Sequence, residues 1–115
     1  MIHGHKIKQL SREKNQRNAL IKTLAVSLVR DEKIKTTEVK AKALRPFIER
    51  LVTKAKAGDL AARKLVSEKL GPVTAKKMVE KIAPKFKDRN GGYTRITKLD
   101  TRKTDGARMA QIEFV

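Results

Sequence analysis

Apolar positions in the first two thirds of the chain recur at helical spacing. One set forms a stripe on a predicted helix from about Glu13 to Asp31: Leu20, Ile21, Leu24, Ala25, Leu28 and Val29. A second set predicts a helix that ends near Lys56: Val39, Ala43, Phe47, Leu51 and Ala55, beside Leu44, Ile48 and Val52. Pro46 lies within the second pattern, so we expect one kinked helix rather than two separate helices.

Capping residues mark the ends of the predicted helices. A threonine at position 36 or 37 is suited to begin the second helix. Gly58-Asp59 is predicted to end the second helix and to cap a third, which runs from about Leu60 to Leu70. Gly71-Pro72 then ends the third helix and opens a fourth, which we expect to stop at Pro84.

Later in the chain the spacing changes to that of strands. Tyr93–Leu99 and Ala107–Val115 predict two strands, with Asp105-Gly106 as a turn signal between them. Lys33–Thr36 predicts a shorter strand before the second helix. Together the elements predict an α+β fold in which three or four helices pack on one face of a small sheet.

The charge of the chain indicates a polyanionic partner. Its 115 residues include 29 Lys or Arg and 12 Asp or Glu, a net charge of +17, whereas solubility of a small domain needs only about 2–8. The positive excess is densest in residues 1–17 and 85–108. Residues 1–12 are interpreted as an extended basic arm that is too polar to fold alone, and residues 13–115 as a single globular domain.

Composition excludes several classes of protein. No run approaches the ~18 apolar residues of a membrane-spanning helix, and the N-terminal segment lacks the apolar core of a signal peptide. The chain contains no cysteine, which excludes disulfides and thiol chemistry. We therefore expect a cytoplasmic protein with no membrane partner.

Enzyme and metal signatures are weak. Gly91-Gly92 lacks the lysine and helix of a phosphate-binding loop, and both histidines, His3 and His5, lie in the arm, which offers no held geometry for acid–base catalysis. A free N-terminal amine followed by Met1-Ile2-His3 has the groups that hold Cu(II) or Ni(II), but so does any chain with histidine at position three. We predict no enzyme activity, metal, cofactor or small-molecule substrate.

Basic side chains in the arm and in the late loop and hairpin are the predicted nucleic-acid contacts, because Lys and Arg neutralise phosphates. The predicted contact residues are His3, His5, Lys6, Lys8, Arg12, Lys14, Arg17, Lys85, Lys87, Arg89, Tyr93, Arg95, Lys98, Arg102, Lys103 and Arg108. Tyr93 has two interpretations: it stacks on an unpaired base, or it packs at the start of a strand. Scarce aromatic residues favour recognition of the shape and backbone of folded RNA. The alternative is an architectural DNA-binding protein.

Four segments together resemble one known family. They are Ser27–Thr37 (SLVRDEKIKTT), Lys40–Pro46 (KAKALRP), Gly91–Ile96 (GGYTRI) and Met109–Val115 (MAQIEFV). In this order and spacing, and over essentially the whole chain, they resemble the bacterial ribosomal large-subunit protein number seventeen family.

This resemblance implies a two-layer α/β domain in the order α-β-α-α-α-β-β, with the helices on one face of a small mixed sheet. It implies a non-catalytic structural role in the large ribosomal subunit, with large-subunit ribosomal RNA as the partner and ribosomal protein number thirty-two as a neighbour. It also carries RNA-contacting roles to positions in the arm and beyond it: Lys6, Lys8, Leu10, Arg12, Arg17 and the segment Tyr93–Arg95.

Overall fold

The helices and strands follow the predicted order α-β-α-α-α-β-β. The structure is a computed structural model that describes the backbone of residues 2–115 and the side chains of residues 14–115. Its elements are α1 (Ile2–Asp31), β1 (Lys33–Thr37), α2 (Glu38–Ala55), α3 (Leu60–Leu70), α4 (Pro72–Lys77), β2 (Thr94–Lys98) and β3 (Met109–Phe114). A π-helical turn (Met78–Ile82) and a 3₁₀ turn (Ala83–Phe86) follow α4. The α+β class is therefore confirmed.

Helix α1 begins at Ile2, well before the predicted start at Glu13. Residues 2–13 contain no proline, and half of them have high helix propensity: Lys6, Lys8, Gln9, Leu10, Arg12 and Glu13. Extending a helix adds one hydrogen bond for each residue fixed, without the cost of a new nucleus. The backbone of the predicted arm is therefore helical rather than extended. The sequence did not predict this helix because residues 2–12 are too polar to show an apolar stripe.

Helix α1 ends at a residue with a left-handed backbone. Glu32 has a φ of 64°, a conformation that costs a non-glycine residue roughly 1–2 kcal/mol. Its N–H donates to the carbonyl of Leu28 at 2.6 Å, which satisfies a carbonyl in the last turn of α1. The Glu32 carbonyl accepts from the N–H of Phe114 at 3.1 Å. One residue therefore both ends α1 and joins the following chain to the sheet.

The buried face of α2 differs from the predicted stripe. Its buried residues are Glu38, Ala41, Leu44, Ile48, Leu51, Val52 and Ala55, whereas Val39 is 77% exposed and Ala43 is exposed. A step of four residues turns about 400° on a helix of 3.6 residues per turn. A series at every fourth residue therefore drifts by about 40° at each step, which carries its first members to the solvent side. Pro46 lies inside α2, which is a single helix as predicted.

Side-chain caps begin α2 and α3 at predicted residues. Thr37 Oγ1 accepts from a backbone N–H of the first turn of α2 at 3.4 Å, and Asp59 Oδ1 does the same for α3 at 2.8 Å. Gly71, with a φ of 84°, ends α3, and Pro72 opens α4. Local sequence signals therefore set the corners between the helices.

The predicted fourth helix consists of three short helical segments. Regular α-helix covers only Pro72–Lys77, and the π turn and the 3₁₀ turn continue the path to Phe86. Pro84 has no N–H, so α-helical hydrogen bonding cannot continue through it. The predicted apolar face is nevertheless confirmed, because its members are all buried: Ala75, Met78, Val79 and Ile82.

Strand β3 is the central strand of an antiparallel sheet. Among the described residues the strand order is β1-β3-β2, and both ladders are antiparallel. The predicted mixed sheet is therefore wrong. β1 pairs with the second strand of the hairpin; it would have been parallel only beside the first strand, β2. Glu113 of β3 lies opposite Lys33 of β1 and Arg95 of β2.

The two faces of the sheet have different surroundings. One face packs on the helices through the row Ile34–Ile112–Ile96, which joins a core of aliphatic side chains. The row Lys33–Glu113–Arg95 lies on the opposite face because side chains alternate along a strand. The sheet thus has one apolar face in the core and one charged face.

Candidate nucleic-acid interface

The predicted contact residues fall into three groups. The side chains of His3, His5, Lys6, Lys8, Leu10 and Arg12 lie outside the described residues, so their contacts remain predictions. A second group is exposed throughout: Lys14, Arg17, Lys85, Lys87, Arg89, Arg95, Lys98, Arg102, Lys103 and Arg108. Tyr93 alone among the predicted residues with described side chains is buried.

Four of the exposed basic side chains lie in surface ion pairs within the described part of the chain. They are Lys85 with Glu32 at 2.9 Å, Arg95 with Glu113 at 3.0 Å, Lys98 with Glu38 at 4.0 Å and Arg102 with Asp105 at 3.4 Å. An exposed ion pair contributes only about 0–1 kcal/mol. A phosphate group can therefore compete for these cations.

A further set of exposed basic residues has no acidic partner among the side chains of residues 14–115. Its members are Lys14, Arg17, Lys87, Arg89, Lys103 and Arg108. A phosphate can bind these side chains without displacing an existing ion pair. They are consequently the strongest of the described candidates for contact with a polyanion.

Glu38 gathers basic groups at the start of α2. Its Oε1 lies 2.9 Å from Lys42 Nζ and 4.0 Å from Lys98 Nζ. The hydrogen bond from Lys42, opposed by burial and assisted by the charges of Lys42, Lys98 and Arg108, holds the pKa of Glu38 below its ordinary value. Glu38 therefore stays ionised and keeps basic side chains of α2 and of the hairpin close together.

Glu32 also holds two basic side chains close together, at the end of α1. Its Oε1 accepts from Lys85 Nζ at 2.9 Å, and its Oε2 lies 3.6 Å from Lys77 Nζ. The hydrogen bond from Lys85, opposed by burial, holds the pKa of Glu32 below its ordinary value. This carboxylate therefore links the end of α1 to α4 and to the 3₁₀ turn.

Tyr93 lies in the core rather than on the surface. Its exposed fraction is 0%, and its ring centroid lies 5.2 Å from that of Phe86. Its hydroxyl is 3.1 Å from Thr53 Oγ1 and accepts from Lys56 Nζ at 3.4 Å. A ring with no exposed face cannot stack on a base in this conformation. Of the two interpretations of Tyr93, the structure supports packing.

Loop 87–92 is held against α2 by hydrogen bonds that sequence reasoning missed. Glu49 Oε1 accepts from the N–H of Gly92 at 3.2 Å, and Glu49 Oε2 accepts from Thr94 N–H at 3.3 Å and Thr94 Oγ1 at 2.8 Å. Lys56 Nζ donates to the carbonyl of Arg89, whose guanidinium donates to the carbonyl of Gly92 at 2.9 Å. Loop and helix are therefore one connected unit.

The hydrogen bonds to Glu49 also determine its charge. Partial burial raises the pKa of this carboxyl, but hydrogen bonds from Thr94 and Arg45 outweigh burial and hold the pKa below its ordinary value. In the sequence, Glu49 resembles an ordinary surface acid four residues after Arg45. No local pattern predicts a contact with residues more than 40 positions later.

A groove of about 260 Å³ separates α2 from loop 87–92. Glu49, Arg50, Thr53 and Lys54 line it from α2. Asn90, Gly91 and Tyr93 line it from the loop and from the residue that follows it. Arg50 and Lys54 were not predicted as contacts because charges of both signs are mixed along this helix. One signal was available: neither residue has an acidic neighbour three or four positions away with which to form a helical ion pair.

Neither a metal-binding cluster nor a membrane-spanning helix is found among the residues that the structure describes. Within residues 14–115, no three His, Cys, Asp or Glu side chains are arranged to hold a metal ion; the N-terminal Cu(II) or Ni(II) alternative at His3 lies outside them. In the same described part of the chain, no helix is both long and apolar enough to span a bilayer.

Comparison with known proteins identifies the family. The family model described as Ribosomal protein L17 matches residues 20–115. The chain belongs to the ribosomal protein L17 family. Large ribosomal subunit protein bL17 of Persephonella marina is 53% identical over 118 residues, which cover 100% of the chain and 95% of the relative. The proteins of that name from Campylobacter jejuni subsp. jejuni and Campylobacter concisus are 51% and 47% identical over 116 residues, covering 99% and 98% of their lengths.

Membership of the L17 family confirms the resemblance seen in the sequence. The family is a structural, non-enzymatic component of the ribosome. The prediction that the chain is not an enzyme therefore rests on relationship as well as on the weak signatures of the sequence.

Proposed function

We propose that the chain is a structural, non-catalytic constituent of the large ribosomal subunit that binds and stabilises folded large-subunit ribosomal RNA. The supporting observation is the set of exposed basic side chains that have no acidic partner within residues 14–115. They belong to a member of a ribosomal family whose relatives are named as large-subunit proteins. As a ribosomal component, the chain works in the cytoplasm.

The proposed mechanism is electrostatic. Lys and Arg side chains displace counterions from phosphates, which gives affinity that falls steeply with salt. The body, residues 13–115, docks on the shape of A-form RNA, and the basic residues 1–12 reach further along the phosphate backbone. Loop 87–92 supplies Lys87 and Arg89 where RNA helices crowd together.

Salt-dependent binding tests this proposal. The variant with Lys6, Lys8 and Arg12 all changed to Ala should bind large-subunit ribosomal RNA more weakly than the unchanged protein. Up to three phosphate contacts are lost, so the slope of log K against log salt should flatten by about 2–3. Filter binding between 50 and 300 mM monovalent salt measures both quantities.

A matched variant separates specific contacts from total charge. Lys64, Lys69 and Lys76 are exposed residues of α3 and α4, and changing all three to Ala removes the same charge. The proposal expects the arm variant to lose more slope than this control. Equal losses would refute specific arm contacts, and tighter binding of duplex DNA than of ribosomal RNA at moderate salt would favour the architectural DNA-binding alternative.

We also propose ribosomal protein number thirty-two as a neighbour, on the strength of the family resemblance alone. Lysine cross-linking of intact large subunits, followed by mass spectrometry, should join the two proteins. Cross-links from this chain only to other proteins would refute that neighbour and leave RNA binding untouched.

A further inference from the structure

We propose that the groove between α2 and loop 87–92 is an RNA subsite that receives one unpaired nucleotide, with the flanking phosphates bound by Arg50 and Lys54. This inference rests on the proposed function and assigns part of that function to a defined place. The groove measures about 260 Å³ and opens to solvent between the helix and the loop.

Charge supports an anionic occupant. Arg50 and Lys54 lie four residues apart on α2, so they project from one face of the helix. Both are exposed, and neither forms an ion pair with an acid among the described side chains. A guanidinium also binds phosphate through two parallel hydrogen bonds and stacks on the faces of bases. Both kinds of contact suit a nucleotide that has left its helix.

The acidic residue beside the groove does not oppose this occupant strongly. Glu49 lines the groove, but its two oxygens accept hydrogen bonds from Gly92, from Thr94 and from Arg45 at 3.3 Å. Hydrogen-bond donors on the loop, on β2 and on α2 therefore stabilise its negative charge. The two exposed cations at the rim remain the unbalanced charges.

The shape of the groove is fixed before RNA binds. Hydrogen bonds from Lys56 and to Glu49 hold the loop against α2, so little ordering is required on binding. Gly91 contributes no side chain, and a Cβ added there would meet no atom within 4 Å. Side chains of α2, the loop residues Asn90 and Gly91, and Tyr93 line the space, which stays open to solvent.

Thiol protection tests the site directly, because the protein contains no cysteine. Gly91→Cys places one thiol in the groove without crowding, and Ala61→Cys places one on the exposed surface of α3 as a control. With large-subunit ribosomal RNA at about 100 times Kd, labelling at position 91 should slow by at least about tenfold. Labelling at position 61 should slow much less. Equal protection, or no protection at position 91, would overturn the subsite.

Charge variants give an independent result. Arg50→Ala with Lys54→Ala should flatten the salt slope for ribosomal RNA by about 1.5–2, and Lys64→Ala with Lys69→Ala should change it less. Far-UV circular dichroism should show both variants folded. If the unchanged protein has no preference for ribosomal RNA over duplex DNA, the proposed function fails. If that preference is present and the two double variants behave alike, the subsite alone fails.

Discussion

Glu49 shows how much one side chain contributes to this interface. It is a helical residue of α2, yet its oxygens fix the backbone at Gly92 and Thr94 on a later part of the chain. Thr94 begins the edge strand β2, and the N–H of Thr94 would otherwise lack a partner within the sheet. At this scale, the position of the basic loop depends on hydrogen bonds that Glu49 and Lys56 form with the loop backbone.

Replacing Glu49 should expose this dependence. Glu49→Gln should lower the free energy of unfolding by about 1–3 kcal/mol at pH 7, because charge-assisted hydrogen bonds are lost. The folded state holds the pKa of Glu49 below its ordinary value, so the contribution is present above about pH 4.3 and is lost as the pH falls through the lowered pKa. Urea unfolding at pH 7 and at pH 3 measures the difference from the unchanged protein.

The control for this prediction is Glu68→Gln. Glu68 is exposed and forms no ion pair within the described part of the chain, so its replacement should leave stability nearly unchanged at both pH values. A gap between Glu49→Gln and the unchanged protein that stays constant from pH 7 to pH 3 would contradict the ionised role of Glu49.

At the scale of elements, helix α1 combines two kinds of surface. Among its described side chains the buried ones are Ile21, Ala25, Leu28 and Val29, whereas Leu20 is 38% exposed and Leu24 is only partly buried. The predicted stripe was therefore correct in direction and too wide. A stripe of apolar letters cannot show which of its edges is covered, because coverage depends on the neighbouring helices.

Two leucines of α1 provide a matched comparison. Leu28→Ala should lower the free energy of unfolding by about 2–5 kcal/mol, because Leu28 is 0% exposed and a cavity would remain. Leu20→Ala changes the same atoms at a more exposed position and should cost less than about 1 kcal/mol. Denaturant unfolding of both variants measures the two losses of stability. Similar losses would mean that α1 packs with a different face.

The whole molecule carries far more positive than negative charge. Within residues 14–115, seven acids form ion pairs with basic residues: Asp31, Glu32, Glu38, Glu49, Glu80, Asp105 and Glu113. With 29 basic residues in the chain, most of the positive charge remains unbalanced. Self-repulsion of that excess acts against the compact state until a polyanion binds.

Salt should consequently act in opposite directions on the free protein and on its complex. Raising NaCl from 20 to 300 mM should raise the Tm of the free protein by about 2–6 °C, as screening removes roughly 0.5–1 kcal/mol of repulsion. The same change should weaken RNA binding. Thermal melts followed by circular dichroism measure the first effect, with sucrose of equal osmolality as the control. A Tm that falls with salt would show that the surface ion pairs outweigh the repulsion.

The sequence predicted those features that depend on neighbouring residues. Caps at Thr37 and Asp59, the stop at Gly71 and the order of elements all follow from local chemistry. It did not predict the pairing of β1 with β3 or the bonds of Glu49, because both join residues that are far apart in the chain. The long start of α1 was missed for another reason: helix extension needs no apolar stripe.

The site was predictable to a similar extent. Composition identified the late loop and hairpin as basic, and the structure shows those side chains exposed. It could not separate Tyr93, which is buried, from its exposed neighbours, nor could it bring Arg50 and Lys54 beside Gly91. Such proximity is a property of packing and appears only when α2 and the loop are placed together.

The central position of β3 determines when the sheet can form during synthesis of the chain. Lys33 of β1 and Arg95 of β2 both pair with Glu113 of β3. Neither edge strand therefore has a partner in the sheet until residues 109–114 have been synthesised. Helices can form earlier from local contacts, whereas the β1–β3 ladder joins residues as far apart as Lys33 and Glu113. Shortening the chain before Met109 would therefore remove not one strand but both ladders.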